Sequence, residues 1–162
     1  DGVNRELDLY PQNLRADIDE INELVYHTVN NGVYRAGFAT TQEAYSDAVR
    51  DVFSTLDQLE ERLEGREFLV GDVLTEADIR LFTTLVRFDP VYYGHFKCNF
   101  RRIRDYPNLS RYTKMIYDLP KVAETTHFEH IKNHYYQSHP TINPTGIVPD
   151  GPDNWLNTEK SA

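Results

Sequence analysis

The chain has 162 residues, of which 40% are hydrophobic and 27% are charged, a composition typical of one globular domain. Its net charge is -9, from 17 basic and 26 acidic side chains, which argues against nucleic-acid binding because phosphate recognition needs a basic surface. No apolar run is long enough to span a bilayer and a single cysteine excludes an intrachain disulfide, so we predict a cytoplasmic protein without a membrane partner.

The first part of the chain combines an irregular segment with a predicted helix. Residues 1–16 are interpreted as a lead-in, because Pro11 disfavours an early helix. Residues 17–30 place apolar side chains at helical spacing, which predicts a helix. The run Asn30-Asn31-Gly32 is a stop or kink signal at its end.

The middle of the chain contains the two clearest helical patterns. In residues 43–64 the apolar side chains recur every three or four positions and predict a narrow packing seam: Tyr45, Val49, Val52, Leu56, Leu59 and Leu63. A second helix is predicted from Thr75 to about Phe88, because Thr75 and Asp78 match the acidic variant of a capping box. Its expected buried face carries Ile79, Phe82, Leu85 and Val86.

The last part of the chain is punctuated by prolines. Pro107 opens another predicted helix, and a last helix is predicted over about 122–137. The prolines and glycines that follow preclude long elements, so residues 138–162 are predicted to form an extended, non-helical tail. The predicted fold class is an all-α bundle of about five helices, with residues 17–137 as the helical domain.

Four of the six histidines lie in the stretch HFEHIKNHYYQSHP, residues 127–140. His127, His130 and His134 would share one helix face, a spacing that can bind zinc. A zinc site needs further ligands, and the sequence does not bring Cys98 or Glu124 close to this face. We therefore interpret the histidines as polar, partly packed side chains and predict no metal site.

Cys98 is surrounded by basic residues, with no acidic residue between positions 90 and 104. Such surroundings can lower the pKa of a thiol and create a nucleophile, whereas a free cysteine is more commonly a small buried residue, the interpretation we favour. The basic cluster either receives an anionic group or pairs with acidic side chains elsewhere, and we favour pairing. Its members are Lys97, Arg101, Arg102 and Arg104.

Tyrosine is unusually frequent, at 11 residues. A tyrosine combines an apolar ring with a polar hydroxyl, which suits a contact surface or a half-polar pocket. Tyrosines lie near helix breaks in NNGVYRAGFATT and FDPVYY and again in the last predicted helix, but residue types alone do not indicate that these regions converge. Without further information the prediction is an all-α domain with a tyrosine-rich surface or cleft.

Longer motifs resemble one family. FLVGDVLTEADIRLF, which follows a heptad-like helix, is similar to the capping-box segment of glutathione transferase C-terminal domains. HFKCN and HYYQSHPTINPTGIVP are more specific, and with NNGVYRAGFAT and DYPNL they resemble the glutathionyl-hydroquinone reductases, the xi class of glutathione transferases. The resemblance covers nearly all of residues 1–152.

The resemblance implies removal of glutathione from glutathionyl-hydroquinones. In that family a cysteine in a Cys-Pro-Trp-Ala motif attacks the glutathionyl sulfur, and a second glutathione, the co-substrate, releases the enzyme. That cysteine lies in an N-terminal thioredoxin-like domain, whereas Cys98 belongs to the HFKCN motif. The chain begins with Asp1 and its single methionine is Met115, so we expect a processed chain or a fragment: a helical C-terminal domain that is inactive without the thioredoxin-like domain.

The resemblance also implies a substrate site. By motif position, Tyr34, Tyr92 and Tyr135 would hold the quinol, with hydroxyls that bond its oxygens or assist proton transfer. Their neighbours Tyr93 and Tyr136 are disfavoured by the motif register. Arg35 and His134 are secondary candidates, and a homodimer formed through the helical domains is expected.

Two other functions compete with this interpretation. Helical domains of this type also serve as protein-protein interaction modules in translation factors and synthetase complexes. Against a pure scaffold, all three pocket tyrosines are present, and a scaffold has no physical need for them. A metal-binding regulator is the third alternative, and it depends on the histidine stretch alone.

Overall fold

The computed structural model describes residues 7–152 and 154–157, and over these residues all regular secondary structure is helical. The predictions made for residues 1–6, 153 and 158–162 lie outside the described residues. None of the described helices is both long and apolar enough to cross a membrane.

The described part of the chain forms six α-helices: α1 (Arg15–Val25), α2 (Asn31–Gly37), α3 (Gln42–Arg62), α4 (Glu76–Arg87), α5 (Pro107–Tyr117) and α6 (Phe128–Ser138). A π-helical turn over Tyr26–Asn30 joins α1 to α2, and a second over Phe88–Tyr92 extends α4. Short 3-10 turns cover Gln12–Leu14, Ile103–Asp105 and Ala123–Thr125. Because α1, its π turn and α2 form one continuous helical stretch, the bundle has five such stretches, which confirms the predicted fold class.

Of the two alternatives predicted at Asn30-Asn31-Gly32, a helix stop or a kink, the stop is wrong, because the chain remains helical to Gly37. The Asn30 side-chain amide donates hydrogen bonds to Thr84 Oγ1 at 2.6 Å and to the Arg80 carbonyl at 3.2 Å, both on α4. An asparagine that hydrogen-bonds its own backbone tends to end a helix, and here the partners on α4 take those bonds instead. At Gly32 an added Cβ would lie 2.8 Å from Cγ2 of Val52, so the glycine permits close packing on α3. The predicted irregularity takes the form of the π turn.

The predicted seam of α3 is confirmed as part of the core. Val49, Val52, Leu56, Leu59 and Leu63 are each 2% exposed or less, and the partly buried Tyr45 packs against them. The helix is capped by the Thr41 side chain, which accepts a hydrogen bond from the Ala44 amide at 3.2 Å. Gly65 follows the helix with a φ of 68°, a conformation that glycine adopts without a steric penalty.

The predicted capping box at the start of α4 is confirmed. Asp78 is fully buried and accepts hydrogen bonds from the Thr75 amide at 2.8 Å, the Leu69 amide at 2.9 Å and the Tyr112 hydroxyl at 2.9 Å. The predicted burial of Ile79 is wrong, since its side chain is 41% exposed. Asp78 occupies the inward face at this level, and the next residue on a helix points about 100° away. The inward face continues with Leu81, Phe82 and Leu85.

The last helix begins at Phe128, later than the predicted 122. The Thr125 and Thr126 hydroxyls donate to the Val122 carbonyl at 2.9 Å and 3.0 Å, so threonine side chains compete for a helix carbonyl. His127 then has extended backbone angles and precedes the first helical residue.

The predicted tail begins one residue late, since Ser138 still belongs to α6; from His139 onwards its described residues are non-helical, and it packs back onto the bundle. Leu156 is 1% exposed and belongs to the core. The Asn154 amide donates to the Tyr117 hydroxyl at 2.7 Å, and Lys132 Nζ donates to the Asp150 carbonyl at 2.6 Å. These contacts fix the tail against α5 and α6.

Candidate functional site

Three tyrosines from separate parts of the chain meet at one point. Tyr34 lies on α2, Tyr92 ends the second π turn, and Tyr135 lies on α6. The Tyr135 hydroxyl oxygen is 2.5 Å from that of Tyr34 and 2.8 Å from that of Tyr92. The structure therefore brings together the three tyrosines that the motif positions selected.

The rings of this tyrosine cluster (Tyr34, Tyr92 and Tyr135) rest on Phe96, which is fully buried. The Phe96 ring stacks on Tyr92 at a centroid distance of 5.4 Å and meets Tyr34 edge-on at 5.2 Å. Gly37 makes this position available, because an added Cβ there would lie 2.2 Å from the Phe96 ring. Aromatic packing thus fixes the directions in which the three hydroxyls point.

Burial raises the pKa of the two buried members of the cluster, Tyr92 and Tyr135. Burial, followed by the hydrogen bond with Tyr34, raises the pKa of Tyr135 to about 12. Burial and the neighbouring Tyr135 raise the pKa of Tyr92 as well. Three hydroxyls have three donor hydrogens and make two hydrogen bonds among themselves, so one donor hydrogen is left for a ligand.

The cluster lines part of a cleft of about 460 Å³. Tyr34 is 39% exposed to it, whereas Tyr92 and Tyr135 are 3% and 7% exposed. Seven further residues line the cleft: Tyr26, Asn30, Asn31, Arg80, Thr83, Thr84 and Arg87. The sequence analysis did not predict the four lining residues that lie on α4. Their spacing of i, i+3, i+4 and i+7 places them on a single polar helix face: Arg80, Thr83, Thr84 and Arg87.

The structure does not bring the secondary candidates to this cleft. Arg35 Nη2 donates to Asp51 Oδ2 at 3.1 Å and to the His27 carbonyl at 3.1 Å. His134 is exposed, and its ring lies edge-on to Tyr135 at 5.3 Å without lining the cleft.

The two neighbouring tyrosines also lie outside the cleft lining. The Tyr136 hydroxyl points to the Pro90 carbonyl, at 3.4 Å, and Tyr93 is partly buried against the core. The structure therefore separates each adjacent pair: Tyr92 and Tyr135 reach the cleft, and Tyr93 and Tyr136 do not.

Cys98 is a buried structural residue, as the favoured interpretation predicted. It is fully buried, and burial raises the pKa of its thiol to about 12, against a smaller lowering by Lys97. The expected pairing of the basic cluster is also confirmed for its arginines. Arg101 pairs with Asp57, Arg102 with Asp105 at 2.8 Å, and Arg104 with Asp89 at 2.9 Å.

The histidine stretch divides into two groups. The His127 and His130 rings lie 5.1 Å apart at the start of α6. His139 is turned towards the core, where its Nδ1 lies 3.0 Å from Nε2 of the buried His95. Within residues 7–152 and 154–157, no three His, Cys, Asp or Glu side chains are grouped to hold a metal ion.

Residues 42–114 match the model of a family described as "Glutathione S-transferase, C-terminal domain". The chain is 65% identical over 145 residues to glutathionyl-hydroquinone reductase PcpF of Sphingobium chlorophenolicum, a match that covers 90% of this chain and 46% of that protein. It is 59% identical over 145 residues to glutathionyl-hydroquinone reductase YqjG of Escherichia coli, covering 90% and 44%. The chain thus spans about half the length of the curated relatives it matches.

The chain is also similar to solved structures of glutathione transferases, again over about half of their length. The glutathione-bound structure of Escherichia coli YqjG superposes with a TM-score of 0.91 at 57% identity, covering 94% of this chain and 49% of that one. The xi glutathione transferase of Phanerochaete chrysosporium superposes with a TM-score of 0.89 at 61% identity, covering 91% and 48%.

Proposed function

Because the chain is a glutathione transferase C-terminal domain, with glutathionyl-hydroquinone reductases and xi-class transferases as homologues, we propose that it binds the substrate of such a reductase. The reaction would remove glutathione from a glutathionyl-hydroquinone and release the hydroquinone. The observation that carries the proposal is the convergence of three tyrosine hydroxyls from residues that line one cleft.

The cleft suits a hydroquinone. A hydroquinone ring is flat and apolar with hydroxyls at its edge, and the tyrosine cluster offers flat rings with hydroxyls at one point. Since burial raises the pKa of Tyr135 to about 12, this phenol is protonated at neutral pH and can donate a hydrogen bond to a quinol oxygen.

The chemical step needs a thiolate from outside this chain's helical domain. That thiolate would attack the glutathionyl sulfur, the bond between sulfur and the ring carbon would break, and the carbon would keep the electron pair and take a proton. A second glutathione would then reduce the enzyme–glutathione disulfide and leave as glutathione disulfide. Cys98 is unsuited to this role, because it is fully buried with a thiol pKa of about 12.

The proposal therefore includes a thioredoxin-like domain that carries the nucleophile and binds glutathione, and a homodimer of the two-domain protein. It also predicts that the 162-residue chain alone has no reductase activity, since its single cysteine is Cys98.

The test is glutathione-dependent reduction of glutathionyl-menadiol by the complete natural polypeptide, with this chain as a control. Tyr34→Phe, Tyr92→Phe and Tyr135→Phe should each lower kcat/KM by about tenfold, the effect of losing one hydrogen bond in the transition state. Tyr136→Phe is the matched control, because it removes a hydroxyl on the same helix outside the cleft.

Two results would reject the proposal. The first is a complete polypeptide with a reactive cysteine that has no activity, which would favour a protein-protein interaction module. The second is full activity in all three cleft variants, which would move the quinol away from the tyrosine cluster.

A further inference from the structure

One wall of the cleft carries positive charge. Arg80 and Arg87 lie on the same face of α4, seven residues apart, with Thr83 and Thr84 between them. The described lining residues include no aspartate or glutamate. The lining of this cleft is therefore positively charged, although the chain as a whole has a net charge of -9.

The two arginines differ in their partners. Arg80 Nη2 lies 3.2 Å from Glu76 Oε1, so its charge is balanced one helical turn away. Among the described residues Arg87 makes no ion pair, and its Nη1 donates to the Thr83 carbonyl of its own helix. Every arginine of the basic cluster, by contrast, pairs with an aspartate.

Arg87 is also placed to act on the tyrosine cluster. It is partly buried, which strengthens its electrostatic influence relative to a fully solvated side chain. The pKa of Tyr135 is raised by burial and by Tyr34, and the charge of Arg87 works in the opposite direction. The Arg87 side chain and the three tyrosines also line the same cleft.

We propose that Arg87 selects substrates whose hydroquinone ring carries an anionic substituent, a carboxylate in particular. This inference rests on the proposed function, because it names the substrate class of the same cleft. A guanidinium has a planar array of donors that matches a carboxylate with two parallel hydrogen bonds. With the ring against the tyrosine cluster, a ring carboxylate would reach the α4 wall and take Arg87 as its counterion.

The test compares two substrates that differ in the charge of one group and by one methyl: the glutathionyl conjugate of gentisate, a hydroquinone carboxylate, and the conjugate of its methyl ester. The complete polypeptide should show a higher kcat/KM for the acid. Arg87→Gln should lower kcat/KM for the acid by about tenfold or more, the usual effect of losing a charged hydrogen bond, and change the ester by less than about twofold. Arg87→Lys keeps the charge without the planar fork and should retain part of the preference.

Arg50→Gln is the matched control, because Arg50 is an exposed arginine on α3 that pairs with Asp47 outside the cleft. It should leave both substrates unchanged. An equal loss for acid and ester in Arg87→Gln would overturn the inference by making Arg87 a structural residue. A rise in the KM for glutathione with both substrates would also overturn it, since the bound carboxylate would then belong to glutathione.

A binding measurement tests this inference independently of the proposed reductase activity. If the wild-type polypeptide reduces glutathionyl-menadiol but neither gentisate conjugate, the inference is overturned and the reductase proposal stands. If it reduces none of the three, the reductase proposal fails, and calorimetric titration with free gentisate and methyl gentisate decides the inference. Tighter binding of gentisate that is lost in Arg87→Gln would support an anion-selective cleft. Equal binding of the two compounds would overturn it.

Discussion

Tyr135→Phe should destabilise the protein more than the same change at either of its two partners. The Tyr135 hydroxyl is the centre of the cluster, because it lies within hydrogen-bonding distance of both Tyr34 and Tyr92. Its removal breaks two hydrogen bonds, and it leaves the hydroxyl of Tyr92, a residue only 3% exposed, without its partner.

The expected loss in the free energy of unfolding depends on whether a buried hydroxyl is left without a hydrogen-bond partner. A buried hydroxyl that loses its partner costs about 1–3 kcal/mol, so we expect Tyr135→Phe to lower the free energy of unfolding by that amount. Tyr92→Phe removes the buried hydroxyl itself and leaves Tyr135 bonded to Tyr34, so its cost should stay below about 1 kcal/mol. Tyr34→Phe should cost as little, because Tyr135 keeps its contact with Tyr92.

The assay is urea unfolding of the purified variants, followed by far-ultraviolet circular dichroism and analysed by linear extrapolation. Tyr136→Phe is the control, with an expected change within about 0.5 kcal/mol, because its hydroxyl makes one long contact of 3.4 Å. A loss in Tyr92→Phe equal to that in Tyr135→Phe would refute the reasoning. So would a neutral Tyr135→Phe, which would mean that water in the cleft replaces the lost bonds.

Three further predictions concern the surroundings of the cluster. Burial, with His139 and Lys97, lowers the pKa of His95 from 6.5 to about 4, so between these values the unfolded chain binds a proton that the folded chain does not. The free energy of unfolding should therefore fall as the pH drops from 6.5 towards 4, and His95→Gln should flatten this part of the pH profile. Cys98 should resist alkylation by iodoacetamide at neutral pH in the native protein and react fully in denaturant, and fast native labelling would contradict its burial. Gly37→Ala should cost about 1–3 kcal/mol in a urea titration, because the new Cβ would overlap the Phe96 ring, whereas Gly151→Ala, which meets nothing within 4 Å, should cost far less.

Patterns among neighbouring residues were sufficient to predict most helices of the helical domain. The α3 seam and the Thr75 capping box were predicted correctly because each depends on residues within one or two turns of each other. The helix end predicted at Asn30 was wrong because a residue far away in the sequence forms a hydrogen bond there. The helix continues through Asn30 because its side-chain amide donates hydrogen bonds to Thr84 and Arg80 on α4. A prediction from neighbouring residues does not include these two partners, which are about 50 residues away.

The candidate site shows the same division. Motif resemblance selected Tyr34, Tyr92 and Tyr135 individually, whereas residue types alone did not indicate that they meet. Arg35 lies beside Tyr34 in the sequence but pairs with Asp51 on α3, because adjacent residues on a helix point in different directions. Arg87 reaches the cleft from α4, and only the tertiary structure shows that α2, α4 and α6 contribute to the same cleft.

The sequence by itself determined the helical class, the capping box at Thr75 and the family resemblance, because helical periodicity, capping and motif spacing are properties of neighbouring residues. Only the tertiary structure decided which side chains share the cleft. The Tyr34 and Tyr135 hydroxyls are separated by 101 residues along the chain and by 2.5 Å in space. A contact of that kind depends on how the helices pack around Phe96 and Gly37, which no local pattern encodes.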